Sequence, residues 1–332
     1  MLRRLRTLRI LWRARTLKIC ARRSCVEREK IGLRNCARLA TVAGVSALNM
    51  RYSSPFAAAL LALLLAGCQT ADVLSPGGTR LGAISTPFLG EAELRAPATF
   101  IVDATSGRIL FEENADALRF PASLTKLMTL YLVFEAIEAG RLSLDDQFLV
   151  SADAASRPPA KIGLEAGSTI SVRNAVHALS VRSANDVAAV IAENLAGSEE
   201  AFAAVMTQRA RQLGMRNTRF VNASGLPDRR QISTARDVAL LARSVRTRFP
   251  GYATSFRATE FNYDGRRFVA TNKLLGVVQG VDGMKTGYIR DSGFHLIATA
   301  TRGGRSIIVV VLGGVTSKAR DARATALIEE YL

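Results

Sequence analysis

Pro121-Ala-Ser-Leu-Thr-Lys126-Leu-Met-Thr-Leu-Tyr-Leu-Val-Phe134 decides the fold. The stretch is apolar on nearly every side of a helical wheel, and it runs on to Gly140. Proline near the start and glycine at the end is the asymmetry of a helix. A helix that is greasy all round lies buried at the centre of a domain. Its first turn carries a hydroxyl, Ser123, and an amine, Lys126, at i and i+3, which share one face. A hydroxyl nucleophile needs a neighbouring base. A lysine qualifies only when neutral, and both burial and the positive end of a helix dipole push its pKa down. No carboxylate follows in this helix until Glu135.

On the N-terminal side, Thr99–Phe111 predicts two strands around a Thr105-Ser106-Gly107 turn. On the C-terminal side, residues 172–250 recur with helical spacing and are expected to be mostly helical. Strands return after Pro250: 253–263, an Asp264-Gly265 turn, then 266–270. Residues 294–301 and 306–312 flank an Arg302-Gly303-Gly304 turn as a hairpin. A helix from about Ser317 to Tyr331 closes the chain. Strands first, helices in the middle, and strands with a helix last define an α+β class. Both chain ends are expected in one antiparallel sheet, with a helical subdomain around the buried helix.

Two further short motifs follow Ser123-Leu-Thr-Lys126. Ser183-Ala-Asn185 falls between helical runs, where a turn or cap is its ordinary reading. Lys285-Thr-Gly287 falls just before a predicted strand. The surrounding Gly280-Val-Asp-Gly-Met-Lys285-Thr286 fails as a phosphate-binding loop, because Met284 and Gln279 stand where that motif needs glycine.

In the order Ser-x-x-Lys, Ser-x-Asn, Lys-Thr-Gly, the three are the mark of penicillin-binding proteins and class A β-lactamases. Residues 98–332 resemble the low-molecular-mass, serine-type D-alanyl-D-alanine carboxypeptidases among them. Phe220-Val-Asn-Ala-Ser-Gly-Leu226, Val281-Asp-Gly-Met-Lys-Thr-Gly287 and Gly313-Gly314 followed by Arg320 add to the resemblance. It implies a β-lactamase-like fold and acyl transfer without a cofactor. Ser123 would attack the carbonyl between two terminal D-alanines of a peptidoglycan stem peptide, with Lys126 as base. Ser183 would relay a proton to the leaving D-Ala, and Asn185 would order Lys126 and the peptide. Lys285 and Thr286 would meet the terminal carboxylate, and Gly287 would let substrate lie close to its strand. The N–H groups of Ser123 and Tyr288 would form the oxyanion hole. Arg320 is a further carboxylate-binding candidate, although a solvated turn of the last helix beside Lys318 and Arg323 explains it equally well. β-Lactam antibiotics would be covalent inhibitors.

A class A β-lactamase needs a glutamate after the second motif to activate water, and residues 201–259 contain none. A DD-endopeptidase, or a catalytically inactive wall-binding lipoprotein, would carry the same three motifs.

The first 97 residues read as an address and a tether. Met50-Arg51-Tyr52, an apolar run from Phe56 to Ala66 and then Gly67-Cys68 make a secretory signal over 50–67, too short to span a bilayer comfortably. Leu65-Ala-Gly-Cys68 resembles the lipobox of bacterial lipoproteins, which implies a lipid on Cys68 and an exported, periplasm-facing envelope protein. A plain signal peptide ending near a cysteine is the competing reading. Residues 68–97, mixed in Gly, Pro, Ser and Thr, read as a tether. Residues 1–49 are expected to lie upstream of a true start at Met50, in preference to forming a real basic leader.

Charge and cysteine usage narrow the rest. Of the net charge of +17, +11 sits in residues 1–49. The remaining balance is ordinary, and a nucleic-acid partner is not expected. After Cys68 there is no further cysteine, so the body holds neither a disulfide nor a cysteine-based zinc site. His177 and His295 are the two histidines, too few for a His-rich metal site.

Overall fold

The computed structural model describes residues 95–332. The expected leader, signal segment, lipobox with Cys68 and nearly all of the tether lie outside the described residues. Strand β1 (Ala98–Asp103) and strand β2 (Ile109–Glu113) form the first hairpin. Asp103 closes its turn by accepting from the Ser106 N–H at 2.7 Å. A 3-10 turn, Ala122–Thr125, leads directly into helix α1 (Lys126–Glu138). Strand β3 (Gln147–Leu149), helix α2 (Ala152–Ser156) and strand β4 (Thr169–Ser171) follow. Helix α3 (Val172–His177) passes through a π-helical turn, Ala178–Arg182, before helix α4 (Asn185–Ala196), helix α5 (Glu199–Gln212) and helix α6 (Ala235–Arg248).

After the short helix α7 (Pro250–Ala253) come strands β5 (Glu260–Tyr263) and β6 (Arg266–Val269). Strands β7 (Val281–Ile289), β8 (Gly293–Arg302) and β9 (Arg305–Gly314) complete the main sheet, and helix α8 (Ser317–Tyr331) ends the chain. The main sheet runs β2-β1-β9-β8-β7, all antiparallel. The first and last strands of the domain therefore meet at its centre, as the patterning predicts. Among the described residues, no helix is long and apolar enough to cross a membrane.

Both faces of the sheet are covered. Ile307, Val309 and Val311 join Leu296 and Ala298 against Ala324, Leu327 and Ile328 of α8. Their neighbours Ile308, Val310 and Leu312 point the other way, into the larger core with Phe100, Ile297, α1 and α6. A strand buried on both faces reads as an unbroken apolar run, which explains Ile307-Ile-Val-Val-Val-Leu312. Helix α1 is buried from Lys126 to Ala136. The carboxylate in that buried stretch, Glu135, is paired with Arg209 at 2.8 Å and Arg248 at 2.7 Å.

Two expectations need correction. Residues 253–257 are helical rather than strand: Pro250 occupies the first turn of α7, and Thr254–Arg257 continue as a 3-10 turn. The helical spacing buries Phe256 and stacks Tyr252 on Phe134 with ring centres 5.0 Å apart. Lys285-Thr-Gly287 lies inside β7, not ahead of a strand. Its glycines and polar residues interrupt the apolar alternation by which strands are recognised.

Candidate active site

The 3-10 turn at the start of α1 sets the centre of the site. With three residues per turn, side chains at i and i+3 eclipse, and Lys126 Nζ lies 3.2 Å from Ser123 Oγ. Ala122, just before the serine, has φ +47°. That left-handed conformation costs a residue with a Cβ about 1–2 kcal/mol, so the packing around it holds the turn in place. Gly225 does much of this holding: a Cβ there would stand 1.8 Å from the Ala122 carbonyl oxygen and 2.9 Å from the Ser123 nitrogen.

Lys126 is fully buried and donates to Asn185 Oδ1 at 2.7 Å and to the Ser224 carbonyl. Those two acceptors can only accept. A neutral amine satisfies both with its two hydrogens and keeps a lone pair for the Ser123 hydroxyl. Burial, and then the charge of Lys285, hold the Lys126 ammonium well below its usual 10.5.

The second wall comes from the π-helical turn. Ser183 ends it in the left-handed region, φ 63° and ψ 40°, and accepts from Lys285 Nζ at 2.8 Å. Burial, and then Arg320, push Lys285 down to about 7. Asn185, opening α4, is held by the loop before it. Its Nδ2 donates to the Pro158 carbonyl at 2.9 Å, and its backbone N–H to Ala160 at 2.7 Å. That loop is itself gathered by Asp186, a fully buried carboxylate accepting from the N–H groups of Ile162, Gly163 and Leu164 at 3.3, 2.8 and 3.2 Å.

Strand β7 supplies the third wall. Thr286 Oγ1 donates to Thr271 Oγ1 at 2.7 Å. Gly287 lies so near the Ser123 turn that a Cβ would sit 3.3 Å from the Ser123 nitrogen. The Tyr288 side chain is exposed and stacks on Phe294, 4.3 Å between ring centres. Arg320 is buried rather than solvated: Nη1 donates to the His295 carbonyl at 2.8 Å and Nε to Asp321 at 2.9 Å.

Ser123, Ser183, Asn185, Thr286, Gly287, Tyr288 and Arg320 line one open cleft of about 500 Å³, with the amines of Lys126 and Lys285 buried behind it. Of the site residues expected from sequence, only Cys68 falls elsewhere, outside the described residues. Several contributors carry no signal in the sequence. The Ser224 contribution is a backbone carbonyl, and the same is true of Pro158 and Ala160. Asp186 gives only a faint signal, an acid directly after Ser183-Ala-Asn185 at the head of an apolar run. His295 gives none beyond the scarcity of histidine. It is fully buried, donating from Nε2 to the Phe120 carbonyl and accepting from the Gly313 N–H at Nδ1, both at 3.0 Å. Among the described residues, no group of three or more His, Cys, Asp or Glu could hold a metal ion.

The sequence model of the D-alanyl-D-alanine carboxypeptidase family, peptidase S11, matches residues 85–316. The chain is 33% identical over 240 residues to D-alanyl-D-alanine carboxypeptidase DacF of Bacillus subtilis, covering 70% of this chain and 61% of that one. It is 38% identical over 255 residues to DacC of Escherichia coli, covering 73% and 64%. The chain thus spans about three fifths of the length of these curated relatives. Among solved structures, penicillin-binding protein D2 of Listeria monocytogenes in its cefotaxime-bound form superposes with a TM-score of 0.64 at 35% identity, covering 71% of this chain and 96% of that one.

Proposed function

The chain belongs to the D-alanyl-D-alanine carboxypeptidase family, and we propose that it is a serine carboxypeptidase removing the terminal D-Ala from peptidoglycan stem peptides. One observation carries the reading: Ser123 Oγ, Lys126 Nζ and Asn185 Oδ1 form a chain of 3.2 and 2.7 Å contacts, facing a Lys285–Ser183 pair across one cleft.

Neutral Lys126 takes the Ser123 hydroxyl proton as Oγ attacks the carbonyl between the two D-alanines. The tetrahedral oxyanion forms beside the N–H groups of Ser123 and Tyr288, a donor of this kind contributing about 3 kcal/mol. Lys285, with Thr286 and Arg320, receives the terminal carboxylate. The proton held on Lys126 is relayed through the Ser183 hydroxyl to the leaving amine, so D-Ala departs, Ser183 is restored and Lys126 is neutral again. Water then hydrolyses the acyl ester, with Lys126 again as base. Penicillins acylate Ser123 by the same attack. The cleft lining includes no carboxylate to activate water in the manner of a class A β-lactamase, which supports slow release of a penicilloyl group. Upstream, the signal-like run ending at Cys68 supports a lipid-anchored envelope protein. Palmitate labelling that disappears in Cys68→Ser tests that part separately.

The principal test is release of D-Ala from a pentapeptide ending in D-Ala-D-Ala, set beside cleavage of a cross-linked dimer. Wild type is expected to release D-Ala and to favour the pentapeptide, and Ser123→Ala to release none. Wild-type rates in Ser123→Ala, or a preference for the dimer, overturn the assignment.

A further inference from the structure

The charge around the cleft is one-sided. Arg182, Lys273, Arg290 and Arg320 all line it, and no Asp or Glu does. Arg320 is partly neutralised by Asp321 at 2.7 Å. The other three differ: among the described residues, no hydrogen bond or ion pair engages the side chains of Arg182, Lys273 or Arg290. Lys273 and Arg290 are exposed. Arg182 is half-buried, and its Nε is buried without a partner. Half-buried at the cleft wall, the Arg182 guanidinium is partly withdrawn from water, and an acceptor arriving in the cleft gains a charge-assisted hydrogen bond from its accessible part.

These three cations are more than a single terminal carboxylate requires. Lys285, Thr286 and Arg320 already serve that group in the proposed mechanism. Arg182 immediately precedes Ser183, Lys273 follows the Thr271 that holds Thr286, and Arg290 follows β7. They are therefore spread around the cleft rather than gathered at the carboxylate end.

We propose that Arg182, Lys273 and Arg290 read a second anionic group on the acyl side of the substrate, so that the enzyme selects stem peptides bearing a free carboxylate upstream of the scissile bond. Peptides in which that carboxylate is amidated are disfavoured. The inference rests on the carboxypeptidase reading and deepens it. Carboxylate recognition by a partly desolvated guanidinium is bidentate and geometrically selective. The exposed lysine and arginine add attraction that reaches only about 8 Å at physiological ionic strength.

The experiment compares two acyl-D-Ala-D-Ala peptides identical except for one upstream carboxylate, free in the first and amidated in the second. The acid is expected to have a kcat/KM roughly five- to tenfold higher, carried mainly by KM, as for a few exposed or half-exposed ion pairs. Raising the salt from about 0.05 to 0.5 M is expected to compress the ratio. Arg182→Gln, and separately the exposed Lys273→Gln and Arg290→Gln, are expected to bring the ratio towards one. Labelling of Ser123 by a fluorescent penicillin reports that each variant keeps an assembled site. Equal kcat/KM for both peptides in wild type overturns the selectivity while leaving the carboxypeptidase intact. A ratio that neither salt nor any of the three variants changes does the same. No release of D-Ala from either peptide sinks the carboxypeptidase and this inference together.

Discussion

His295 offers the sharpest thermodynamic test of how the Ser123 turn is held. Its two ring nitrogens are committed in opposite senses, because the Gly313 N–H donates to Nδ1 while Nε2 donates to the Phe120 carbonyl. An imidazolium has no lone pair left for Gly313. Full burial is the main cause that pushes this histidine down from 6.5 to about 4, the Phe120 and Phe294 carbonyls resist the shift, and Arg320 and Arg119 assist it. The sign follows directly. Below pH 6.5 an unfolded chain binds a proton that the folded chain refuses until about pH 4. The stabilisation is therefore complete above 6.5 and is lost as the pH falls through 4. At 1.36 kcal/mol per pH unit the loss approaches about 2.5 kcal/mol by about pH 4.5. His295→Gln supplies the reference, since glutamine offers one acceptor and one donor but does not titrate. Urea unfolding of both proteins at several pH values between about 7 and 4.5 isolates the histidine from the titrating carboxylates. Wild type is expected to lose about 2.5 kcal/mol more than the variant over that range. Parallel curves, within about 0.5 kcal/mol, would refute the neutral, doubly bonded ring.

Two substitutions test the other supports of the site. Gly225→Ala sets a Cβ 1.8 Å from the Ala122 carbonyl oxygen at a φ of +82°. Displacement of the serine by about 1 Å costs of order 100-fold in rate, so penicillin acylation is expected to fall at least that far. Gly251→Ala, with nothing within 4 Å, is expected to leave it unchanged; equal acylation rates for the two variants would contradict the packing argument. Asp186→Asn turns an NH₂ group towards N–H groups that need an acceptor. It is expected to cost about 1–3 kcal/mol in urea unfolding and to lower kcat more than it raises KM, because Asn185 loses its scaffold. A variant with unchanged stability and unchanged kcat speaks against that role.

The parts of the molecule legible in the sequence are those in which side chains carry the pattern. The buried helix is visible from Leu124–Phe134 because burial on all sides leaves no polar stripe. Helix α8 runs from Ser317 to Tyr331, the bounds expected from the sequence. The meeting of Ser123, Lys126, Ser183, Asn185 and Lys285 follows from motif order through a family resemblance, and the fold brings them to one cleft. What stays hidden is carried by backbone or by tertiary context. A carbonyl such as that of Ser224 has no letter of its own. Residues 253–257 pass for the start of a strand, yet they continue the helical turn that Pro250 opens and that Tyr252 anchors by stacking on Phe134. Arg320 sits among charged neighbours on its helix and looks solvated, yet the His295 carbonyl draws it inward.

The position of β1 between β2 and β9 has a consequence for biosynthesis. An early strand that must wait for residues 305–314 cannot complete its hydrogen-bonded ladder while the chain is still being made. Long-range pairing of this kind is slow to form. Ser123, emitted by the ribosome long before β9, has Lys126 from the outset but lacks the β7 wall and the sheet behind it. A nascent or prematurely terminated polypeptide should thus be inert towards β-lactams, and chemical competence should arrive in a single late step of maturation.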